Sequence, residues 1–258
     1  MKYINQIFCA TSEKMADIPN ESVDLMVTSP PYNIDIKFGN NWDKGKVKNS
    51  KGIKYEDALS EKKYLKLLED VFLETHRVLK PNGTVFLNIK NRYIDGQIVP
   101  PFFIIDLFKK MYLKNIIIWN FDWGGSTNKR FSSRYEYVFF FTKNKNKWNF
   151  NLNDISIPSV NHRPDRFKTQ FKNPSDVWNI PMVSGSFNER TSHPAQYPEK
   201  LIERIIKAST NEGDLVLDPF MGSGTTAVVA RKLLRNFVGY EINKEYVEIS
   251  KKRLKNEI

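Results

Sequence analysis

Residues 215–241 read LVLDPFMGSGTTAVVARKLLRNFVGYE, and their pattern fixes the kind of fold. The short apolar run Leu215 to Leu217 has the character of a buried parallel strand. It stops at Asp218-Pro219-Phe220-Met221-Gly222-Ser223-Gly224. Glycines at 222 and 224 let the backbone turn sharply and approach a ligand closely. Thr225 and Thr226 then open a helix through Ala227, Val228, Val229, Ala230 and Leu233. That helix leads to a second strand, Phe237 to Tyr240, which ends in Glu241. An acidic residue at the end of the second strand of a βαβ unit is placed to accept hydrogen bonds from ribose hydroxyls. A phosphate-cradling P-loop would need Gly-Lys-Ser/Thr, and no lysine follows Gly224.

A second run, Val23 to Val27, is also strand-like and ends in Thr28-Ser29-Pro30-Pro31-Tyr32-Asn33. Two consecutive prolines fix φ twice and remove two backbone donors, so the turn is stiff and presents carbonyls that nothing local satisfies. Ser29 adds a hydroxyl. Tyr32 adds a flat face on which a base can stack. Both turns fall at carboxyl ends of strands, where open α/β sheets bind ligands.

Together the two turns resemble those of the S-adenosylmethionine-dependent DNA amino-methyltransferases, in the circularly permuted group that carries the Pro-Pro-Tyr motif before the cofactor motif. The resemblance spans nearly the whole chain. Ile18 to Asn33 looks like the family's catalytic strand and its approach. Helix 64–80, Pro81-Asn82-Gly83 and strand 84–89 resemble the next motifs. Segments 115–123 and 134–143 look like the strands that follow, and His193 to Lys200, with a helix to Ser209, precedes the Asp218 strand. The resemblance implies a Rossmann-like methyltransferase sheet, α/β with helices on both faces, in one catalytic domain over residues 1–258. By the same resemblance Ser29, Pro30, Pro31 and Tyr32 are catalytic. Asp218, Pro219, Phe220, Gly222, Ser223, Gly224, Thr225, Thr226 and Glu241 bind S-adenosylmethionine. One stretch departs from the pattern. Where the family carries an acidic contact to the cofactor's adenine, this chain has Cys9-Ala10-Thr11, leaving a backbone acceptor or Asp24 as substitutes.

The chain has 258 residues, 40% of them hydrophobic, enough for one full domain with insertions. Its net charge of +11 favours a polyanionic partner. One cysteine excludes a disulfide framework and a multi-cysteine zinc site, and His76, His162 and His193 are too scattered for a metal centre. No signal peptide or membrane span is evident, so a cytoplasmic location is expected.

Two segments interrupt the alternation of strands and helices. Residues 34–62 are rich in lysine, glycine and asparagine and read as a mobile loop hinged on the Pro-Pro turn. Residues 145–190 interleave cations with aromatics, which suits phosphate contact and base stacking. By resemblance this is a short target-recognition insert, with Trp148 and Trp178 expected as core. Arg163 and Lys168 within it, and the cluster Lys129, Arg130 and Arg134, are the expected DNA contacts. Helix 244–255 reads as an ordinary surface helix with basic residues facing out.

The implied reaction is methylation of the exocyclic amine of a flipped base in double-stranded DNA. Ring-carbon methylation requires a cysteine nucleophile, and Cys9 does not follow the Pro-Pro turn. Within the resembling family, serine at position 29 and alanine after His193-Pro194 favour N4 of cytosine, with N6 of adenine the alternative. An RNA methyltransferase is a further alternative. A non-catalytic nucleic-acid-binding module would be expected to have lost Ser29, Pro30 or the glycine turn, and all are intact. A companion restriction endonuclease and a second copy of the chain complete the expected partners.

Overall fold

The computed structural model describes residues 2–34, 59–122, 124, 126–159, 165, 170–184 and 187–256. The strands are β1 (Gln6–Phe8), β2 (Val23–Thr28), β3 (Leu79–Ile89), β4 (Arg92–Ile94), β5 (Gln97–Val99), β6 (Tyr112–Asn120), β7 (Tyr135–Thr142), β8 (Ile157–Pro158), β9 (Phe171–Lys172), β10 (Val177–Asn179), β11 (Leu215–Asp218) and β12 (Asn236–Tyr240). The helices are α1 (Glu61–Val78), α2 (Phe103–Leu107), α3 (Leu152–Ile155), α4 (Glu199–Ser209), α5 (Thr225–Lys232) and α6 (Lys244–Asn256). Eight strands form one sheet in the order β1-β12-β11-β2-β3-β7-β6-β10.

Every pairing in this sheet is parallel except the two made by β7, which runs against both β3 and β6. The amino end of β7 therefore lies at the edge where the other strands have their carboxyl ends. Neighbouring residues alternate between faces, as strand geometry requires. Val85 and Leu87 of β3 join one core with Tyr64, Leu68, Val71 and Phe72 of α1. Phe86 joins the other with Leu201, Ile202, Ile205 and Ile206 of α4 and Ala227 and Val229 of α5. The spacing of the α1 residues is that of an apolar helical stripe, and burying it seats the helix on the sheet.

The expected strands and helices are present, with shifted bounds. The strand expected at 115–123 is Tyr112–Asn120, and α1 ends at Val78 because the chain is already extended at Leu79. Residues 35–58 of the expected mobile loop lie outside the described residues, and Glu61 and Lys62 open α1. Among the described residues of segment 145–190, β10 pairs in parallel with β6 as the eighth strand of the sheet. Trp178, 5% exposed, packs in the core below it, and Trp148 packs against the same cluster. A three-residue strand carries too little periodicity to be seen in sequence. Among the described residues no helix is long and apolar enough to cross a membrane.

Candidate active site

Both turns lie at the carboxyl edge of adjacent strands, and one side chain joins them. Asp218 ends β11 and is fully buried. Its Oδ1 accepts from Thr28 Oγ1 at 2.5 Å and from the Phe220 backbone N–H at 3.0 Å. Its Oδ2 accepts from Thr226 Oγ1 at 2.6 Å and Tyr197 Oη at 2.9 Å. Burial pushes this carboxyl above its usual range, and the four donors pull it back. A buried carboxylate is tolerated only when so satisfied. Since Thr28 directly precedes Ser29, Asp218 ties the Pro-Pro turn to the glycine turn. Both of its oxygens are taken up by donors of the protein itself.

The glycine turn is shaped by two left-handed residues. Gly222 has φ of 51° and Gly224, which precedes the first turn of α5, has φ of 80°. The Gly222 N–H donates to Glu241 Oε2 at 2.9 Å, and its carbonyl accepts from Ser250 Oγ at 2.8 Å. The second Glu241 oxygen accepts from the Asn243 N–H at 2.8 Å. The half-buried Glu241 stands just past the end of β12, the place expected of a group that receives ribose hydroxyls. Removal from water raises its carboxyl above the ordinary range. These features fit S-adenosylmethionine: Glu241 would hold the ribose, and the glycine backbone and half-buried Phe220 would border the cofactor.

Thr225, Thr226, Ser223 and Pro219 are buried, and the hydroxyls belong to the protein's own bracing. Arg253 supplies part of it. Its Nη1 reaches Thr225 Oγ1 at 2.9 Å and the Ser223 carbonyl at 3.2 Å, while Nη2 pairs with Glu199 at 2.7 Å. The expectation that α6 turns its basic residues outward thus fails at Arg253, which is 7% exposed. Asp24 does not replace the missing adenine contact. It sits at the opposite end of β2, bound by Lys80 Nζ at 2.8 Å and the Leu215 N–H at 3.0 Å.

On the side of the Pro-Pro turn, the Pro31 carbonyl accepts from Tyr64 Oη at 2.9 Å, a donor from α1 rather than from the turn itself. Pro30 is buried, and none of the hydrogen bonds formed among the described residues ends on its carbonyl. Ser29 Oγ lies 2.7 Å from Tyr32 Oη. Tyr32 donates to Glu136 Oε2 at 2.9 Å, and Asn88 Nδ2 donates to Tyr32 Oη at 2.8 Å and Glu136 at 2.5 Å. Lys90 Nζ stands 5.2 Å from the centre of the Tyr32 ring. Burial lifts Tyr32 well above its ordinary value, with Glu136 adding to the shift, and burial lifts Glu136 too. Glu136 and Asn88 were not singled out from the sequence.

Of the expected DNA contacts, Arg163 and Lys168 lie outside the described residues. Lys129, Arg130 and Arg134 sit in the connection from β6 to β7, which crosses the same edge as the two turns. The Arg130 guanidinium stacks 3.9 Å from the Tyr93 ring centre, and Phe131 beside it is 100% exposed.

Comparison with known proteins agrees with this geometry. The sequence model of the N6/N4 DNA methylase family matches residues 23–252. The type II methyltransferase M.BglII of Bacillus subtilis is 38% identical, the match covering 99% of this chain and 70% of that protein. The type II methyltransferase M.HpaI of Haemophilus parainfluenzae is 35% identical over 98% of this chain and 74% of its own. The DNA adenine methyltransferase YhdJ of Escherichia coli K12 is 35% identical over 93% of this chain and 79% of that one. The crystal structure of M1.HpyAVI with SAM superposes with a TM-score of 0.64 at 27% identity, covering 96% of this chain and 98% of that one. The cytosine-N4-specific PvuII DNA methyltransferase shares the fold with a TM-score of 0.70 at 20% identity, over 96% and 85% of the two chains. The chain belongs to the N6/N4 DNA methylase family, whose members use S-adenosylmethionine to methylate an exocyclic amine of DNA.

Proposed function

We propose that the chain is a site-specific methyltransferase acting on a base flipped out of double-stranded DNA, with N4 of cytosine as the favoured target. The observation that carries the reading is the Thr28–Asp218 bond, which sets the amine-binding turn directly beside the cofactor turn. S-adenosylmethionine, when bound, supplies an electrophilic methyl group on a sulfonium. The protein's task is then positioning. An exocyclic amine is a poor nucleophile because its lone pair is delocalised into the ring. Ser29 Oγ and the Pro30 carbonyl accept its two hydrogens, and this draws the nitrogen toward tetrahedral geometry and localises the lone pair. The Tyr32 ring holds the base by stacking.

Serine at position 29 supports cytosine through the resemblance described above. The adenine-N6 reading is kept because a relative at 35% identity is named a DNA adenine methyltransferase. Around the site, Lys129, Arg130 and Arg134 contact phosphates and the exposed Phe131 lies against the duplex, with residues 34–62, Arg163 and Lys168 as further contacts. The type II names of the relatives support a companion restriction endonuclease. A homodimer is part of the same proposal. The test is transfer of isotopically labelled methyl to bacterial genomic DNA, read by nucleoside mass spectrometry. Label in N4-methylcytosine is expected. Label in N6-methyladenine would overturn the choice of base, and label only in RNA would overturn the DNA assignment.

A further inference from the structure

We propose that Glu136 is a positioning and proton-accepting residue for the amine, acting on Ser29 through the hydroxyl of Tyr32; this rests on the amine-transfer reading above. The argument begins with donor count. A carboxylate only accepts, so the single Tyr32 proton goes to Glu136 at 2.9 Å. The Tyr32 oxygen is then left to accept, and it does so from Asn88 Nδ2 at 2.8 Å. Ser29 Oγ, 2.7 Å away, meets an oxygen whose proton is already committed, so Ser29 must donate to it. With its proton so placed, Ser29 meets the amine as an acceptor, and acceptance is what activation of the amine requires. Without Glu136, Tyr32 is free to donate to Ser29, and the serine proton is free to turn toward the amine. Chains of hydrogen bonds also polarise one another, so the carboxylate strengthens Ser29 as an acceptor.

The fold explains why this carboxylate is within reach. β7 is the strand that runs against its neighbours, so Glu136, its second residue, stands at the edge where β2 and β3 end. The groups facing it are Asn88 and Lys90 from β3 and its continuation, Tyr32 from the Pro-Pro turn, and uncharged Trp119, its register partner on β6. Burial makes the carboxylate more basic than usual, with Lys90 opposing that effect. Tyr32, held far above its ordinary value, stays protonated and serves as a carrier.

The same chain disposes of a proton. As the amine nitrogen's lone pair forms the new N–C bond and the S–C bond breaks, the nitrogen is left with one proton too many. That proton passes to Ser29 Oγ as the serine proton moves to Tyr32 Oη and the tyrosine proton to Glu136 Oε2. Both hydroxyls end neutral with one proton each, and Glu136 ends as a neutral carboxylic acid that later yields its proton to water.

The test is single-turnover methyl transfer to DNA across a pH series. It compares the wild type with Glu136→Gln, Glu136→Asp, Tyr32→Phe and the Glu136→Gln/Tyr32→Phe double variant, with calorimetric affinities alongside. Glu136→Gln should slow transfer by ~10²-fold, within the range for a positioned proton acceptor, while affinities for S-adenosylmethionine and DNA stay within about twofold. The rise in wild-type rate with pH through the Glu136 ionisation should vanish in Glu136→Gln and persist, shifted, in Glu136→Asp. The double variant should be no slower than the slower single one, because the two residues act in series. An unslowed Glu136→Gln, a retained pH limb in that variant, or rate reductions that multiply in the double variant would each overturn the proposal. Transfer by the wild type with an unaffected Glu136→Gln sinks this inference alone. No transfer by the wild type sinks the amine-transfer reading with it.

Discussion

Two glycines share one backbone conformation and differ in what surrounds them, so a matched pair of substitutions measures how closely α6 presses on the cofactor turn. Gly213 has φ of 83° and Gly224 has φ of 80°. An alanine at either pays for the left-handed conformation, about 1–2 kcal/mol. At Gly213 a Cβ would meet nothing within 4 Å. At Gly224 it would stand 2.7 Å from Ser250 Cβ and 2.9 Å from Ser250 Cα, well inside ordinary contact. Backbone cannot swing aside as a flexible side chain can, so α6 or the turn must shift, at an overpacking cost of about 1–3 kcal/mol. Gly213→Ala should therefore lose ~1–2 kcal/mol and Gly224→Ala ~2–5 kcal/mol, read as urea midpoints at unchanged slope. The second loss has a functional consequence. Ser250 Oγ also donates to the Gly222 carbonyl, so displacing Ser250 disturbs the turn expected to border the cofactor. Calorimetry should show S-adenosylmethionine affinity lowered by at least ~10-fold in Gly224→Ala, about 1.4 kcal/mol, and unchanged in Gly213→Ala. Equal destabilisation of the two variants, or full cofactor affinity in Gly224→Ala, would refute the reasoning.

Glu241→Ala should weaken S-adenosylmethionine binding by ~10-fold or more, since it removes both the ribose acceptors and the brace on the Gly222 N–H; calorimetric affinity equal to wild type would contradict the assignment. His193 packs edge-on to Tyr246, with ring centres 4.3 Å apart, and burial lowers it from 6.5 to about 4. Because the folded value is depressed, the unfolded chain binds the proton more readily, and the fold loses stability as pH falls from 6.5 toward about 4. The loss is on the order of 3 kcal/mol, and His193→Gln should flatten that part of a urea-midpoint profile, while an unaltered slope would show that this histidine is not its source. Replacing Lys129 and Arg130 together with alanine should weaken DNA binding and reduce its logarithmic salt slope by ~1–2, about one unit for each phosphate no longer neutralised. An undiminished slope would place both side chains off the DNA.

The βαβ unit and the two turns were legible because their signals are local. A buried strand, a glycine turn and an acidic strand end lie within 27 residues, 215–241, and the two prolines mark their own turn. The partners of those turns were not legible, because each is brought in by tertiary register. Glu136 reaches Tyr32 only because β7 enters the sheet reversed, and nothing in Tyr135-Glu136-Tyr137 announces strand direction. Arg253 lies on a helix whose basic residues read as a solvated face. Its guanidinium turns inward because buried Ser223 and Thr225 offer acceptors and Glu199 offers a charge. Asp24 illustrates the opposite error. The sequence leaves it as a substitute adenine contact, but it lies near the start of β2, and a strand of six residues separates its two ends by roughly 15–20 Å.

The buried Asp218 holds the Pro-Pro turn and the glycine turn in one geometry. Thr28 and Asp218 are 190 positions apart and bond directly, each as the last residue of its strand. A loop joining the two turns would add its own freedom to the distance between them. A short bond between the ends of two adjacent parallel strands adds almost none, because the strands' own ladder fixes the separation. The remaining donors, the Phe220 N–H, Thr226 from α5 and Tyr197 from the approach to α4, prevent the carboxylate from rotating away. Such an anchor serves its purpose only without water, which would compete for every oxygen. Its complete burial, costly for a charge, is therefore what keeps the glycine turn and the Pro-Pro turn in fixed register.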